Sequence, residues 1–217
     1  TSSNTDAVVA SANSTAASGS YSLSVSQLAS SHSLASTGYA STSDVVGTGT
    51  LTIRFGSTNY TSPDPGPESY DGFTVNPEKG TATITIDSDN NTLTGVRDAI
   101  NGAKIGVTAV IVNDESGYRL LIGSDDGGEK NSLEISVTDT GDNDDLDSAG
   151  LSALSFNGSA TNLAQTVAAR DALFTVNGLS IRSSDNRASG VIEGLDITLK
   201  DVTGTSPVTV TVAQDRQ

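Results

Sequence analysis

The chain has 217 residues, which is enough for one large domain or two small ones with a real hydrophobic core. It contains no Cys, Met or Trp and only 4% aromatic residues, so its cores must be built from Val, Ile, Leu and Ala, and disulfides and thiolate metal sites are excluded. The formal net charge of −15 argues against binding to nucleic acids or anionic membrane surfaces, and no apolar run reaches the length of a membrane span.

The negative charge is concentrated in the middle of the chain. Residues 44–158 contain 19 acidic and 6 basic residues, whereas the rest of the chain contains 7 acidic and 5 basic residues. Such a break in composition indicates a domain boundary. We therefore predict a discontinuous β-domain made of residues 1–43 and 159–217, interrupted by an inserted acidic β-rich domain of residues 44–158. An insertion at a surface loop is tolerated because loop-closure entropy grows slowly with length.

The N-terminal segment carries two strand patterns. The first is "DAVVASAN", and in the second Tyr21, Leu23 and Val25 alternate with serines, which is the period of a half-buried strand. Two strands alone are marginal in water, so they need partners. The next strands with similarly little charge lie far downstream, near the C-terminus.

The middle segment reads as a series of strands with one helix. Leu93, Val96 and Ile100 have helical spacing, with Asn91 or Thr92 as N-cap and Gly102 near the end. A proline-rich break, "SPDPGPES", follows the first strand, and "FTVN" and "TATITID" form a second pair of strands. The predicted strands are "LTIRF", "FTVN", "TATITID", "VTAVIVND", "GYRLLIGS" and "SLEISVTD". An acidic loop, "DTGDNDDLDSAG", closes the segment, and "TNLAQTVAARDA" is either a second helix or an extended linker.

The C-terminal segment contains the strongest local signal, Asn177-Gly178 between two alternating runs. A type I′ turn needs positive φ at both central residues, and Asn-Gly is the preferred pair. A two-residue loop there pairs Val176 with Leu179 and Phe174 with Ile181, and places all four on one face. After a polar loop, the runs around Ile197 and "PVTVTVAQ" add strands, about four in all. We therefore predict a mainly β fold with two β-rich domains and a single short α-helix, which gives it some α+β character.

Two acidic segments invite a metal-binding interpretation. Asp87, Asp89, Asn91 and Asp98 occupy positions 1, 3, 5 and 12 of a calcium-type loop, but Thr92 stands where such a loop needs Gly for its sharp turn. We therefore favour a polar turn with a helix N-cap. The "DTGDNDDLD" stretch fits no ligand spacing and is interpreted as a solvated loop, so we expect no metal and no cofactor.

No catalytic constellation is recognisable. His32 is the only histidine, and without a cysteine or a second histidine neither zinc nor a Cys-His pair can be assembled. No nucleophile-elbow motif accompanies His32, and Gly127-Gly128 lacks the lysine of a phosphate-binding loop. We expect no enzyme and no catalytic residues, and the residues of any interaction surface stay undefined.

Three blocks of the chain resemble one known family, in the order in which that family has them. They are "GSYSLSVSQLASSHSLAS", "GVRDAINGAKIGVTAVIVNDESGYRLLIGSDDGG" and "DALFTVNGLSIRSSDN". The second block is the most specific, whereas the third is a β-motif that also occurs in some flagellins. Together they resemble the bacterial flagellar filament-capping proteins (FliD, hook-associated protein 2).

This resemblance implies a structural role. Such caps form an oligomer at the distal tip of the flagellum, where they promote flagellin folding and insertion into the filament. The implied partners are further copies of the chain and flagellin, and the implied location is extracellular, reached through the flagellar export apparatus without a cleaved signal peptide. The chain lacks an initiator Met, so we expect a fragment, with the helices that grip the filament outside it.

Two alternatives from other classes stay open at this stage. One is a bacterial surface adhesion module that binds glycan or mucin, since some caps also adhere to host surfaces. The other is the variable outer region of a flagellin-like filament subunit. Neither nucleic-acid binding nor membrane insertion fits the composition.

Overall fold

The computed structural model describes residues 1–61 and 68–213, and it is mainly β, as predicted. One α-helix, α1 (Leu93–Ala103), and two short 3-10 helices, Glu129–Asn131 and Gly150–Leu154, accompany the strands. The strands are β1 (Val8–Ala12), β2 (Gly19–Gln27), β3 (Ser31–Ala35), β4 (Gly49–Thr61), β5 (Ser69–Val75), β6 (Ala82–Ile86), β7 (Val107–Asp114), β8 (Gly117–Gly127), β9 (Ser132–Asp139), β10 (Ala164–Val167), β11 (Ala172–Val176), β12 (Leu179–Ser183), β13 (Arg187–Ile192), β14 (Leu195–Leu199) and β15 (Val208–Val212). Most of the proline-rich break lies outside the described residues.

The contacts divide the chain into two compact units. Unit 1 comprises Thr1–Ser30 and Arg170–Gln217, and unit 2 comprises Ser31–Ala169. These bounds differ from the predicted ones because β3 and β10 pair with each other, and β3 also pairs with β8, so both strands belong to a sheet of unit 2. Neither strand carries a charged side chain, so the change in charge could not reveal them.

Unit 1 contains two antiparallel sheets, and each combines strands from both ends of the chain. One has the order β12-β11-β2-β15 and the other the order β1-β14-β13. The N-terminal strands therefore find their partners far downstream, as their patterns required. The core of this unit is aliphatic apart from one phenylalanine; its buried residues include Val8, Leu23, Val25, Phe174, Val176, Ile197, Leu199, Val208 and Val210.

The Asn177-Gly178 hairpin has the predicted register and turn. Val176 pairs with Leu179 and Phe174 with Ile181, and φ is +49° at Asn177 and +83° at Gly178, as a type I′ turn requires. The Asn177 side chain also accepts a hydrogen bond from the Ser22 backbone N–H at 2.8 Å, which fixes the hairpin to β2. Burial is less even than the pattern indicates, because Leu179 at the tip is 71% exposed.

The segment after this hairpin contains one strand more than the pattern showed. The predicted polar loop includes β13, which pairs with β14 through a register shift between Ser189 and Ile192. Gly190, with φ of +75°, lies within that irregular stretch. The bulge breaks the strict alternation of apolar residues, and this is why the sequence pattern indicates a loop there.

The first sheet of unit 2 is organised around β4. The residues 49–53 of β4 pair with β6, its residues 56–61 pair with β5, and β9 pairs with residues 49–56. The expectation that "FTVN" and "TATITID" pair with each other is therefore wrong. β4 has 13 residues and is therefore long enough to pair with β6 along its first part and with β5 along its second part.

The second sheet of unit 2 has the order β10-β3-β8-β7, and α1 packs on β7. The extended reading of residues 161–172 is confirmed by β10, and the helical alternative is wrong. Thr92 is the N-cap of α1, since its side chain accepts from the Gly95 backbone N–H at 3.1 Å. The helix ends at Ala103, one residue beyond the predicted Gly102, and Lys104 is its C-cap in the left-handed conformation.

Candidate functional site

His32 lies in the core of unit 2 and is 0% exposed. Its Nδ1 accepts a hydrogen bond from the Leu133 backbone N–H at 2.8 Å, and its Nε2 lies 2.9 Å from Oε1 of Gln165. The Ser124 hydroxyl accepts a hydrogen bond from the His32 backbone N–H at 3.0 Å and does not involve the ring. Both ring nitrogens are therefore satisfied by groups of the fold, and the geometry is that of a core histidine.

The calcium-like segment forms a turn before α1. Oδ1 of Asp87 accepts from the Asp89 backbone N–H at 2.9 Å, and the Asp87 N–H donates to the side chain of Asn90 at 2.8 Å. Asp98, at the position of the twelfth ligand, instead forms an ion pair with Arg97 at 2.7 Å. The structure does not bring these side chains together, and the turn with an N-cap is what it shows.

The acidic loop after β9 is held by its own carboxylates. Asp139 is 2% exposed and accepts from the backbone N–H groups of Gly141 and Ser152, at 2.7 and 3.1 Å. Asp142 and Asp144 likewise accept from N–H groups two residues further along the loop. Over residues 1–61 and 68–213, no group of three or more His, Asp or Glu side chains is arranged to hold a metal ion. These carboxylates organise turns.

The outer edge of β7 is partly occupied by a side chain of α1. The Asn101 amide donates to the Ala109 carbonyl oxygen and accepts from the Ala109 N–H, both at 2.8 Å, as a neighbouring strand would. Along the remaining length β7 pairs with β8 on one side only, among the strands of the described part. Val110 and Val112 on this strand are 45% and 41% exposed. Asn101 therefore shields one end of an otherwise open edge.

Asn101 and Asn177 are the structurally important polar residues that sequence reasoning missed in these roles. Both precede a glycine, and each binds backbone groups of a strand, Asn177 those of β2 and Asn101 those of β7. The Asn-Gly pair at Asn177 indicates a turn and nothing more, and Asn101 lies inside α1. No spacing rule connects either side chain to its hydrogen-bond partner. The sequence therefore shows the two asparagines but not the backbone groups that they bind.

These features define a mainly antiparallel β-protein of two compact units, in which polar side chains stabilise turns, a strand edge and a buried core. In the described part of the chain, no helix has the length and apolarity to cross a membrane. The family model of the flagellar hook-associated protein 2 C-terminus matches residues 169–217. A search of curated proteins finds no match.

Solved structures extend the similarity over nearly the whole chain. The D2-D3 domains of the flagellar cap protein FliD from Escherichia coli are 32% identical with a TM-score of 0.78, covering 99% of this chain and 98% of that one. The D1-D2-D3 structure from the same organism is also 32% identical, with a TM-score of 0.79 and 99% of this chain covered. FliD from Pseudomonas aeruginosa PAO1 is 31% identical with a TM-score of 0.71, covering 97% of this chain and 86% of that one.

The chain belongs to the family of the flagellar cap protein FliD, which confirms the resemblance seen in the three sequence blocks. It covers 54% of the D1-D2-D3 chain, which is about half of that relative's length. The activity and partners of a whole cap protein are therefore matters for proposal.

Proposed function

We propose that this chain is the head portion of a flagellar cap, located outside the cell at the distal tip of the filament, where it promotes flagellin folding and insertion. The observation that carries this proposal is the 32% identity to the E. coli D2-D3 domains, with 99% of one chain and 98% of the other covered. A match of that length includes both units, not only the β-motif shared with flagellins. The implied partners are further copies of the chain and flagellin.

The role we propose is structural and not catalytic. The candidate residues His32, Asp87 and Asp139 each bind backbone or side-chain groups of the fold, which is support for a scaffold. Unit 2 carries 19 acidic and 6 basic residues, so several copies side by side would repel at low ionic strength. Contacts from the rest of the protein would have to overcome that repulsion in a cap.

The test removes residues 1–217 from the full-length protein and replaces them with a short Gly-Ser linker, in a strain whose own copy is deleted. The intact full-length gene, expressed at the same level, is the control. We expect the shortened protein to leave flagellin unpolymerised in the medium and to produce few or no filaments. Normal filaments with the shortened protein would refute a role of this chain in assembly.

Immunogold labelling of an epitope tag on the full-length protein separates the three functional classes. A cap is labelled at the filament tip, whereas a flagellin-like subunit is labelled along the whole filament. An adhesion module predicts a third result, in which the shortened protein still allows filament growth but the cells lose binding to mucin-coated surfaces. Because the readouts differ, each class is supported by its own outcome.

A further inference from the structure

One buried hydrogen bond links the two sheets of unit 2 through His32. His32 lies on β3, in the sheet β10-β3-β8-β7, and its Nδ1 accepts from the N–H of Leu133, 2.8 Å away on β9. Leu133 belongs to the other sheet, where it pairs with Phe55 of β4. Both His32 and Leu133 are 0% exposed. We propose that His32 is an acid-sensitive link, so that protonation of its ring loosens the contact between the two sheets of unit 2 and leaves unit 1 intact.

The hydrogen-bond pattern fixes which form of the ring fits this site. Because Nδ1 faces an N–H donor, it must be unprotonated, and Nε2 must then carry the proton and donate to Oε1 of Gln165 at 2.9 Å. Protonation at Nδ1 would place two donors against each other. It would also leave the Leu133 N–H buried without an acceptor, which is among the more destabilising changes in a core.

Among the residues that the structure describes, no negative charge acts on the ring to stabilise an imidazolium. The ring packs at 5.6 Å between centroids on Phe156, which contacts Tyr60 and Tyr70 in turn. Burial raises the pKa of Tyr70 to about 12, so this phenol stays neutral throughout the acid range. β3 itself and β10 carry no charged side chain.

Most of the charged side chains of the neighbouring elements have hydrogen-bond or ion-pair partners other than His32. They belong to β8, the 3-10 helix that precedes β9, and β9, and they are Arg119, Asp125, Asp126, Glu129, Lys130, Glu134 and Asp139. Asp125 accepts from the Thr108 hydroxyl, Asp126 pairs with Lys79, and Glu134 pairs with Arg54. The ring nitrogens themselves contact one backbone N–H and one neutral amide.

The direction of the pH effect follows from burial. Burial lowers the pKa of His32 from 6.5 to about 4, against a smaller opposing effect of the Gln165 hydrogen bond. The unfolded chain therefore binds a proton that the folded chain excludes, and stability is lost as pH falls from 6.5 towards 4. His32 is the only histidine of the chain, and it lies in unit 2. Free carboxyl groups titrate near 4, so the comparison is made at pH 5, and the His32→Asn variant accounts for the contribution of other groups.

The experiment is NMR on the 217-residue chain between pH 7 and pH 5. With a single histidine, the ring resonances are identified without ambiguity. We expect the Nε2–H tautomer at pH 7 and a titration midpoint below 5. We also expect the protection factors of the Leu133 amide and its neighbours in β9 to fall by about 20-fold at pH 5, as a pKa lowered from 6.5 to about 4 requires, with those of β2 and β11 unchanged.

The matched variant is His32→Asn, whose side-chain oxygen can still accept from Leu133 but does not titrate. Its folding equilibrium constant from urea unfolding should change less than threefold between pH 7 and pH 5, against about 20-fold for the unaltered chain. If the variant does not fold, the exchange measurements on the unaltered chain decide the question. A ring that titrates near 6.5, an unchanged Leu133 protection factor, or an equal loss of protection in unit 1 would each overturn the proposal.

Discussion

Replacing Asn101 with Ala should destabilise the chain by about 1–3 kcal/mol. The change removes both hydrogen bonds to Ala109, which is 1% exposed, and leaves a backbone N–H and C=O at the β7 edge without their partner. A buried polar group without a partner costs about 1–3 kcal/mol. Two such groups would together lower the free energy of unfolding by at most about 6 kcal/mol. Because Asn101 itself is exposed, water can reach part of the space that its side chain leaves and bind these backbone groups, which reduces the loss. The better helix propensity of Ala offsets about 0.6 kcal/mol.

The assay is urea unfolding followed by circular dichroism, with the free energy of unfolding extrapolated to zero denaturant. Gly102→Ala is the matched control, because it introduces the same residue in the same helical turn, where a Cβ atom meets nothing within 4 Å. We expect Gly102→Ala to stabilise by about 0.5–1 kcal/mol through helix propensity alone. If Asn101→Ala also stabilises the chain, or is neutral, the amide does not act as a substitute for a neighbouring strand.

Gly178→Val should lower the free energy of unfolding by about 1–3 kcal/mol, because φ is +83° there and a β-branched residue is strained at that angle; an unchanged thermal midpoint would contradict this. A fragment of residues 31–169 should melt cooperatively, whereas residues 45–158, which lack β3 and β10, should not; two equally sharp transitions would show that these strands are dispensable. Micromolar Ca²⁺ should leave the thermal midpoint unchanged, because carboxylates such as Asp139 already accept from loop amides; a saturable rise would favour the adhesion module.

Local pattern predicted the elements better than their partners. The alternation around Leu23 is sufficient to predict β2, and the positive φ that Asn177-Gly178 favours is sufficient to predict the hairpin turn. Strand periodicity and turn chemistry are properties of neighbouring residues. β3 was missed because it has five residues and three of them are polar. The wrong pairing of β5 with β6 has another cause: nothing in either strand shows that one long strand serves both.

The candidate site was less accessible to sequence reasoning than the fold. His32 was identified as a histidine without a catalytic partner, but its acceptor role depends on Leu133, 101 residues away. The partner of Asn101 is only 8 residues away, yet a helix end and a strand edge must first pack before that contact exists. Such roles arise from tertiary structure, and residue type alone does not specify them.

The backbone bridge between Ser30 and Arg170 affects the order in which the chain can fold. Ser30 N–H donates to Arg170 at 2.9 Å and Arg170 N–H donates to Ser30 at 3.1 Å, while the segment between them is unit 2. Once β3 has paired with β10, residues 30 and 170 are held close together. The entropic cost of closing the long loop between the N-terminal strands and their C-terminal partners is then already met. We expect unit 2 to gain protection first in pulse-labelled refolding, with β1 unpaired until β14 is available and β2 until β11 and β15 are available. In a chain that becomes available for folding from its N-terminus, the N-terminal strands would therefore stay unpaired until the C-terminal strands are present.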